Sequence, residues 1–195
     1  DEIYDKILYD GITHTTTASL APDLVCLTFN GLSKAYRVAG FRTGWMAVGR
    51  SPRLDGVAAA VKKLADGRLC STVPMQHAIP AALTGDRSHQ VAFRTALKAR
   101  ADLTISRLCK MPGVSCVAPT AAFYAMPRVA LPPGHTDEQF VKALLHATGV
   151  LCVYGSGFGL PAEEGFLRIV FLASLDELNE IYDLMASFTA QYLQR

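Results

Sequence analysis

The chain has 195 residues, half of them hydrophobic and 18% charged, with a formal net charge of +2. That length carries one or two compact units with real cores, and the near-neutral balance argues against nucleic acid or an anionic membrane as partner. No run reaches the roughly 18 unbroken apolar residues that a membrane span needs; the sequence opens on Asp1 with no initiator Met and no signal-like segment, so upstream residues are expected to have been removed.

Residues 24–30 place Val25, Leu27 and Phe29 on one side and read as a strand, as do residues 44–49 with Trp45, Met46 and Val48. Ser51-Pro52 is a helix start, Ser51 as N-cap and Pro52 in the first turn, for a helix running to about residue 65. Residues 71–83 read as helix interrupted by Pro74 and Pro80. Residues 86–110 form a long helical pattern with Leu97, Ala101 and Leu108 on one face, ended by Met111-Pro112-Gly113.

Short strands follow at residues 114–117, 123–126, 150–153 and 166–172. Two helices lie among them, each opened by a capping box: Thr136 with Gln139, and Ser174 with Glu177. The second carries Leu178, Ile181, Tyr182, Met185 and Phe188 at helical spacing, the pattern of a helix covering a sheet. The chain therefore has two textures. Residues 1–95 read as the end of an α/β layer and residues 96–195 as a small α+β unit, with the long helix as the joint.

Cys26, Cys70, Cys109, Cys116 and Cys152 are odd in number, without CxxC spacing, and mostly set among apolar neighbours. Buried thiols in a reducing compartment fit better than a disulfide framework or a zinc site. The five histidines are scattered, so no metal site is expected, and neither Ser71 nor Ser156 has the neighbours of a hydrolase triad.

The chemistry concentrates in residues 30–44, NGLSKAYRVAGFRTG, which follow a strand. A Lys that forms a Schiff base must lose its proton near neutral pH, which partial burial and nearby cations promote. A phosphate needs hydroxyls, backbone N–H groups and a fixed guanidinium fork. Lys34, preceded by Ser33 and followed eight residues later by Arg42, supplies these groups if the loop returns Arg42 toward Lys34. The same spacing also occurs in solvated loops, so spacing alone leaves both readings open.

The run SKAYRVAGFRTGWM (residues 33–46) resembles the Schiff-base segment of the class I/II aminotransferases, fold-type-I enzymes dependent on pyridoxal 5'-phosphate, and is most similar to their alanine branch. The resemblance gives Lys34 the covalent link to the cofactor and Arg42 the phosphate. Gly31 stands where many relatives carry a phosphate-binding Ser, and Ser33 is the candidate replacement. The opening DEIYDKI resembles the segment whose Asp pairs with the pyridinium nitrogen and whose Tyr bonds the ring oxygen, roles that fall on Asp1 and Tyr4. GFLRIVFL (residues 165–172) resembles the strand whose Arg clamps the substrate α-carboxylate, here Arg168. PTAAFYAMP (119–127) and VYGSGFG (153–159) match two further segments in order, with Ala121 and Tyr154 where Gly and Pro are common. The glycines of the second segment do not make a dinucleotide loop, because Pro161 and a strand follow where a helix should open.

The resemblance implies an α/β fold: the end of the large cofactor-binding domain, with a mainly parallel sheet and helices, over residues 1–95, then the small C-terminal α+β domain over 96–195. It implies ping-pong transamination between an amino acid, alanine or aspartate paired with glutamate, and a 2-oxo acid. The enzyme would be a cytoplasmic homodimer, of which this chain is a C-terminal fragment inactive alone. A carbon–sulfur lyase of the same fold is the alternative enzyme, and a non-catalytic binding or dimerisation domain the alternative of another class. Tyr36, Arg37 and Trp45 are assigned only to packing or subunit contacts.

Overall fold

The computed structural model describes residues 1–20, 25–49, 51–69 and 71–194. Leu24, the expected start of the first strand, and Cys70 lie outside them. The chain divides into two compact units, Asp1–Arg94 and Thr95–Arg195.

In the first unit a short helix α1 (Thr17–Leu20) precedes strands β1 (Leu27–Gly31) and β2 (Gly44–Val48). The strands pair antiparallel from Leu27↔Val48 to Gly31↔Gly44; a parallel pair, expected of the large-domain sheet, does not occur among the described residues. Glycine is required where the ladder closes. A Cβ on Gly44 would stand 2.6 Å from the Asn30 carbonyl oxygen, and one on Gly31 would stand 3.0 Å from that of Thr43. Between the strands the chain folds on itself: Leu32 N–H donates to the Thr43 carbonyl (3.1 Å) and Arg37 N–H to that of Lys34 (3.1 Å). Leu32 and Ala35 of this loop are buried.

The expected helix after Ser51 begins as a 3-10 turn (Pro52–Leu54) and continues as α2 (Asp55–Arg68). Ser51 has the extended backbone of an N-cap but its hydroxyl accepts no capping hydrogen bond; Pro52 in the first turn removes one of the N–H groups a cap would satisfy. The interrupted segment resolves into α3 (Val73–Gln76) and α4 (Ala78–Thr84), separated at His77.

Helix α5 (Ser88–Leu108) contains the boundary between the units. Its expected inner face is buried at Leu97, Ala101 and Leu108, and Thr104 joins them. The second unit then holds β3 (Val114–Ser115), β4 (Tyr124–Ala125), β5 (Arg128–Val129), α6 (Asp137–Thr148), β6 (Val153–Tyr154), β7 (Leu167–Val170) and α7 (Leu175–Tyr192). β7 is central to a three-stranded antiparallel sheet in the order β4-β7-β6, and β3 pairs with β5. β5 was not expected from sequence: it is two residues long and directly follows Pro127, which reads as a turn. Both capping boxes form, Thr136 with Gln139 and Ser174 with Glu177.

The core of this unit holds an aromatic cluster among aliphatic side chains. Phe140, 0% exposed, meets Phe188 and Tyr192 edge-on at centroid distances of 5.4 and 5.0 Å, the geometry that the ring quadrupoles favour. Tyr182, equally buried, donates its hydroxyl to Thr104 Oγ1 at 2.8 Å, while Thr104 donates to the Arg100 carbonyl. Both hydroxyls are thus satisfied away from water.

Candidate active site

The closed end of the β1–β2 hairpin opens onto a cavity of about 400 Å³ lined by Asp1, Asn30, Ser33, Arg42, Thr43 and Trp45, among others. Glu2 N–H donates to the Phe29 carbonyl (2.8 Å), tying the first residues to β1 and bringing Asp1 to this rim. Asp1 Oδ1 accepts the Ile3 N–H at 3.1 Å. The neighbouring Glu2 carboxylate turns elsewhere, accepting from the Thr17 N–H (3.0 Å) and pairing with His14 (3.3 Å). Burial works to raise its pKa, but these partners hold it below the ordinary value.

Arg42 sits at φ +52°, a conformation that non-glycine residues enter only when their surroundings impose it. The 3-10 turn Ala39–Phe41 imposes it here. Arg42 N–H and Nη1 both bond the Ala39 carbonyl, at 3.3 and 2.7 Å. The backbone thus fixes one edge of the guanidinium. Arg42, Thr43 and Gly44 also line a smaller cavity of about 80 Å³ with Arg68, Ser71 and Thr72, a set of cations and hydroxyls with no carboxylate.

Of the expected cofactor residues, Asp1, Ser33 and Arg42 meet on one cavity. Lys34 and Tyr4 are half-buried; each follows a lining residue, Ser33 and Ile3, without lining the cavity itself. Trp45 joins the lining, while Arg37 stacks on the Phe93 ring at 5.2 Å and Tyr36 lies 6.2 Å from the His89 ring.

Arg168 belongs to the second unit, on β7, opposite Val153 of β6. Its Cζ lies over the Tyr124 ring at 4.9 Å and over the Phe158 ring at 4.5 Å. Tyr124 reaches it because it faces Val170, two residues along the same face of β7, a diagonal neighbour within range of a long side chain. Arg168 Nε is buried and has no hydrogen-bond partner. A charged donor left this way is costly. Sequence reasoning missed Tyr124 and Phe158. Both lie in segments singled out from the sequence (119–127 and 153–159), but only the sheet register and the turn show which rings meet the guanidinium.

The model of the family described as aminotransferase class I and II matches residues 1–182. An alanine aminotransferase of Mycobacterium tuberculosis is 44% identical over 201 residues, covering 100% of this chain and 46% of the relative. A glutamate-pyruvate aminotransferase, AlaA, of Haemophilus influenzae is 43% identical, covering 100% and 49%. Among solved structures, an alanine aminotransferase from Pyrococcus furiosus superposes with TM-score 0.91 at 38% identity, over 97% of this chain and 48% of that one. An aminotransferase from Escherichia coli superposes with TM-score 0.90 at 39% identity, over 100% and 49%. The chain thus spans about half the length of the curated relatives it matches.

Proposed function

The chain belongs to the class I and II aminotransferases, and on that premise we propose that it is the C-terminal part of a longer enzyme that moves an amino group between an amino acid and a 2-oxo acid. Alanine with pyruvate, and glutamate with 2-oxoglutarate, are the pairs that the names of its relatives favour. The observation that carries the reading is the cavity on which a carboxylate (Asp1), a hydroxyl (Ser33) and a backbone-braced guanidinium (Arg42) converge.

The family implies pyridoxal 5'-phosphate, and this donor set fits it: an acid for a protonatable ring nitrogen, a cation and a hydroxyl for a phosphate. Asp1 would hold the ring nitrogen in its charged form, Tyr4 would bond the ring oxygen, and Arg42 with Ser33 would hold the phosphate. When bound, the cofactor supplies an electron sink that acidifies the Cα–H of an attached amino acid. Lys34 Nζ would anchor the cofactor in the resting enzyme and, once displaced by the substrate amine, take up the α-proton. Arg168 would bind the substrate α-carboxylate, its plane supported by Tyr124 and Phe158.

The enzyme is read as a cytoplasmic homodimer. Helix α2 has no buried residue, and Val57, Val61 and Leu64 form an exposed apolar stripe along it. That supports a covering surface from outside this chain. Among the described residues no helix is long and apolar enough to cross a membrane.

Borohydride reduction of the full-length holoenzyme, followed by digestion and mass spectrometry, tests the assignment. The pyridoxyl group is expected on the peptide containing Lys34, and Lys34→Ala should lose both the label and nearly all turnover. Label on a different lysine, or near-normal turnover in the variant, rejects it.

A further inference from the structure

Asp137 has no part in the reading above, yet its carboxylate is 0% exposed. Removing such a group from water is costly unless hydrogen bonds replace the lost hydration. Asp137 Oδ2 accepts the Ser156 N–H at 2.6 Å, and Oδ1 accepts the Ser156 hydroxyl at 2.9 Å and the Glu138 N–H at 2.7 Å. Helix α6 does not need this carboxylate as its cap, because Thr136 and Gln139 already close the capping box. The two bonds to Ser156 are a link between α6 and a turn.

That turn is the 3-10 segment Gly155–Phe158. It is held to the residue preceding β7 by the Gly155 N–H, which donates to the Phe166 carbonyl at 2.7 Å. The approach is so close that a Cβ on Gly155 would stand 2.6 Å from Phe166 Cβ. Asp137 holds the next residue, Ser156. Two residues later the ring of Phe158 meets the Arg168 guanidinium.

We propose that Asp137 is a positioning residue for the carboxylate-binding site. By gripping Ser156 it sets Phe158 against Arg168, and so fixes the plane in which the guanidinium meets the substrate. The proposal rests on the reading of Arg168 as the carboxylate ligand. A fork that must donate to two carboxylate oxygens at once depends on its plane, and a loosened plane weakens every carboxylate substrate alike. It leaves cofactor attachment and proton transfer at Lys34 untouched. The signature is therefore a rise in KM for the amino acid and the 2-oxo acid together, with kcat held.

The test uses the full-length holoenzyme with Asp137→Asn, Asp137→Ala, Ser156→Ala, Phe158→Leu and Arg168→Lys, each assayed for both substrates and for the cofactor's absorbance. Asp137→Ala should raise both KM values about tenfold. Asp137→Asn, which keeps the shape and an acceptor oxygen, should recover part of that loss. Ser156→Ala and Phe158→Leu should move both KM values in the same direction, with the absorbance retained throughout. If Asp137→Ala does not fold, Asp137→Asn and Ser156→Ala carry the test. A merely structural Asp137 would lower kcat and thermal stability with KM unchanged, and that result overturns the proposal. If Arg168→Lys raises KM while the Asp137 and Ser156 variants do not, the proposal falls and the Arg168 reading stands. If Arg168→Lys leaves KM unchanged, the Arg168 reading falls and takes the proposal with it.

Discussion

Replacing Gly44 by Ala should perturb the cavity proposed to hold the cofactor without altering any group assigned to chemistry. The added methyl would stand 2.6 Å from the Asn30 carbonyl oxygen and 3.3 Å from Gly31 Cα. Unbonded carbons sit best at about 3.5–4.0 Å, and both obstacles are backbone of the paired strand rather than the end of a flexible side chain. The hairpin must part, at the ~1–3 kcal/mol typical of overpacking. Asn30, Gly31 and Thr43, which would move, line the cavity with Arg42. Half of that strain borne at the cavity, about 0.5–1.5 kcal/mol, corresponds at about 1.4 kcal/mol per tenfold to a fall in cofactor affinity of roughly two- to tenfold. The assay is absorbance titration of the full-length apoenzyme with pyridoxal phosphate, beside a thermal melt. Gly40→Ala is the control, since its Cβ would meet nothing within 4 Å. The reasoning is refuted if Gly44→Ala binds cofactor and melts like the parent, or if Gly40→Ala is equally impaired.

Two further outcomes follow from the second unit. Tyr182→Phe removes the buried bond to Thr104 and should cost about 1 kcal/mol in urea titration. Burial pushes the Tyr182 hydroxyl up to about 12. With a folded pKa above the unfolded value of about 10, its contribution is complete below that value and is lost as pH rises toward 12. The variant should therefore lose less stability than the parent across that interval, and an unchanged alkaline profile would contradict the assignment. Among the described cysteines, native-state maleimide labelling read by mass spectrometry should modify exposed Cys109 first. Cys152, whose thiol burial raises to about 11, should react last; equal rates would show that the second unit opens freely.

The local signals in the sequence were sufficient wherever one short segment decides the outcome. The capping boxes at Thr136 and Ser174, the buried face of α5 and the inward stripe of α7 depend on neighbours three or four residues away, and the sequence displays them directly. The Lys34–Arg42 segment identified the family for the same reason: its residues are contiguous. The two-residue strand β5 was invisible because so short a segment has no period of its own and is defined only by its partner β3.

What only the tertiary structure decided lies in contacts across sequence distance. The opening residues reach Arg42 because Glu2 bonds Phe29. Tyr124 reaches Arg168 through the β4–β7 register, and Phe158 reaches it through a turn that Asp137 holds from nineteen residues away. Residue type shows that a carboxylate or a ring is present; strand pairing and burial decide which guanidinium it serves, because hydrogen bonds and ring contacts act over a few ångströms regardless of position along the chain.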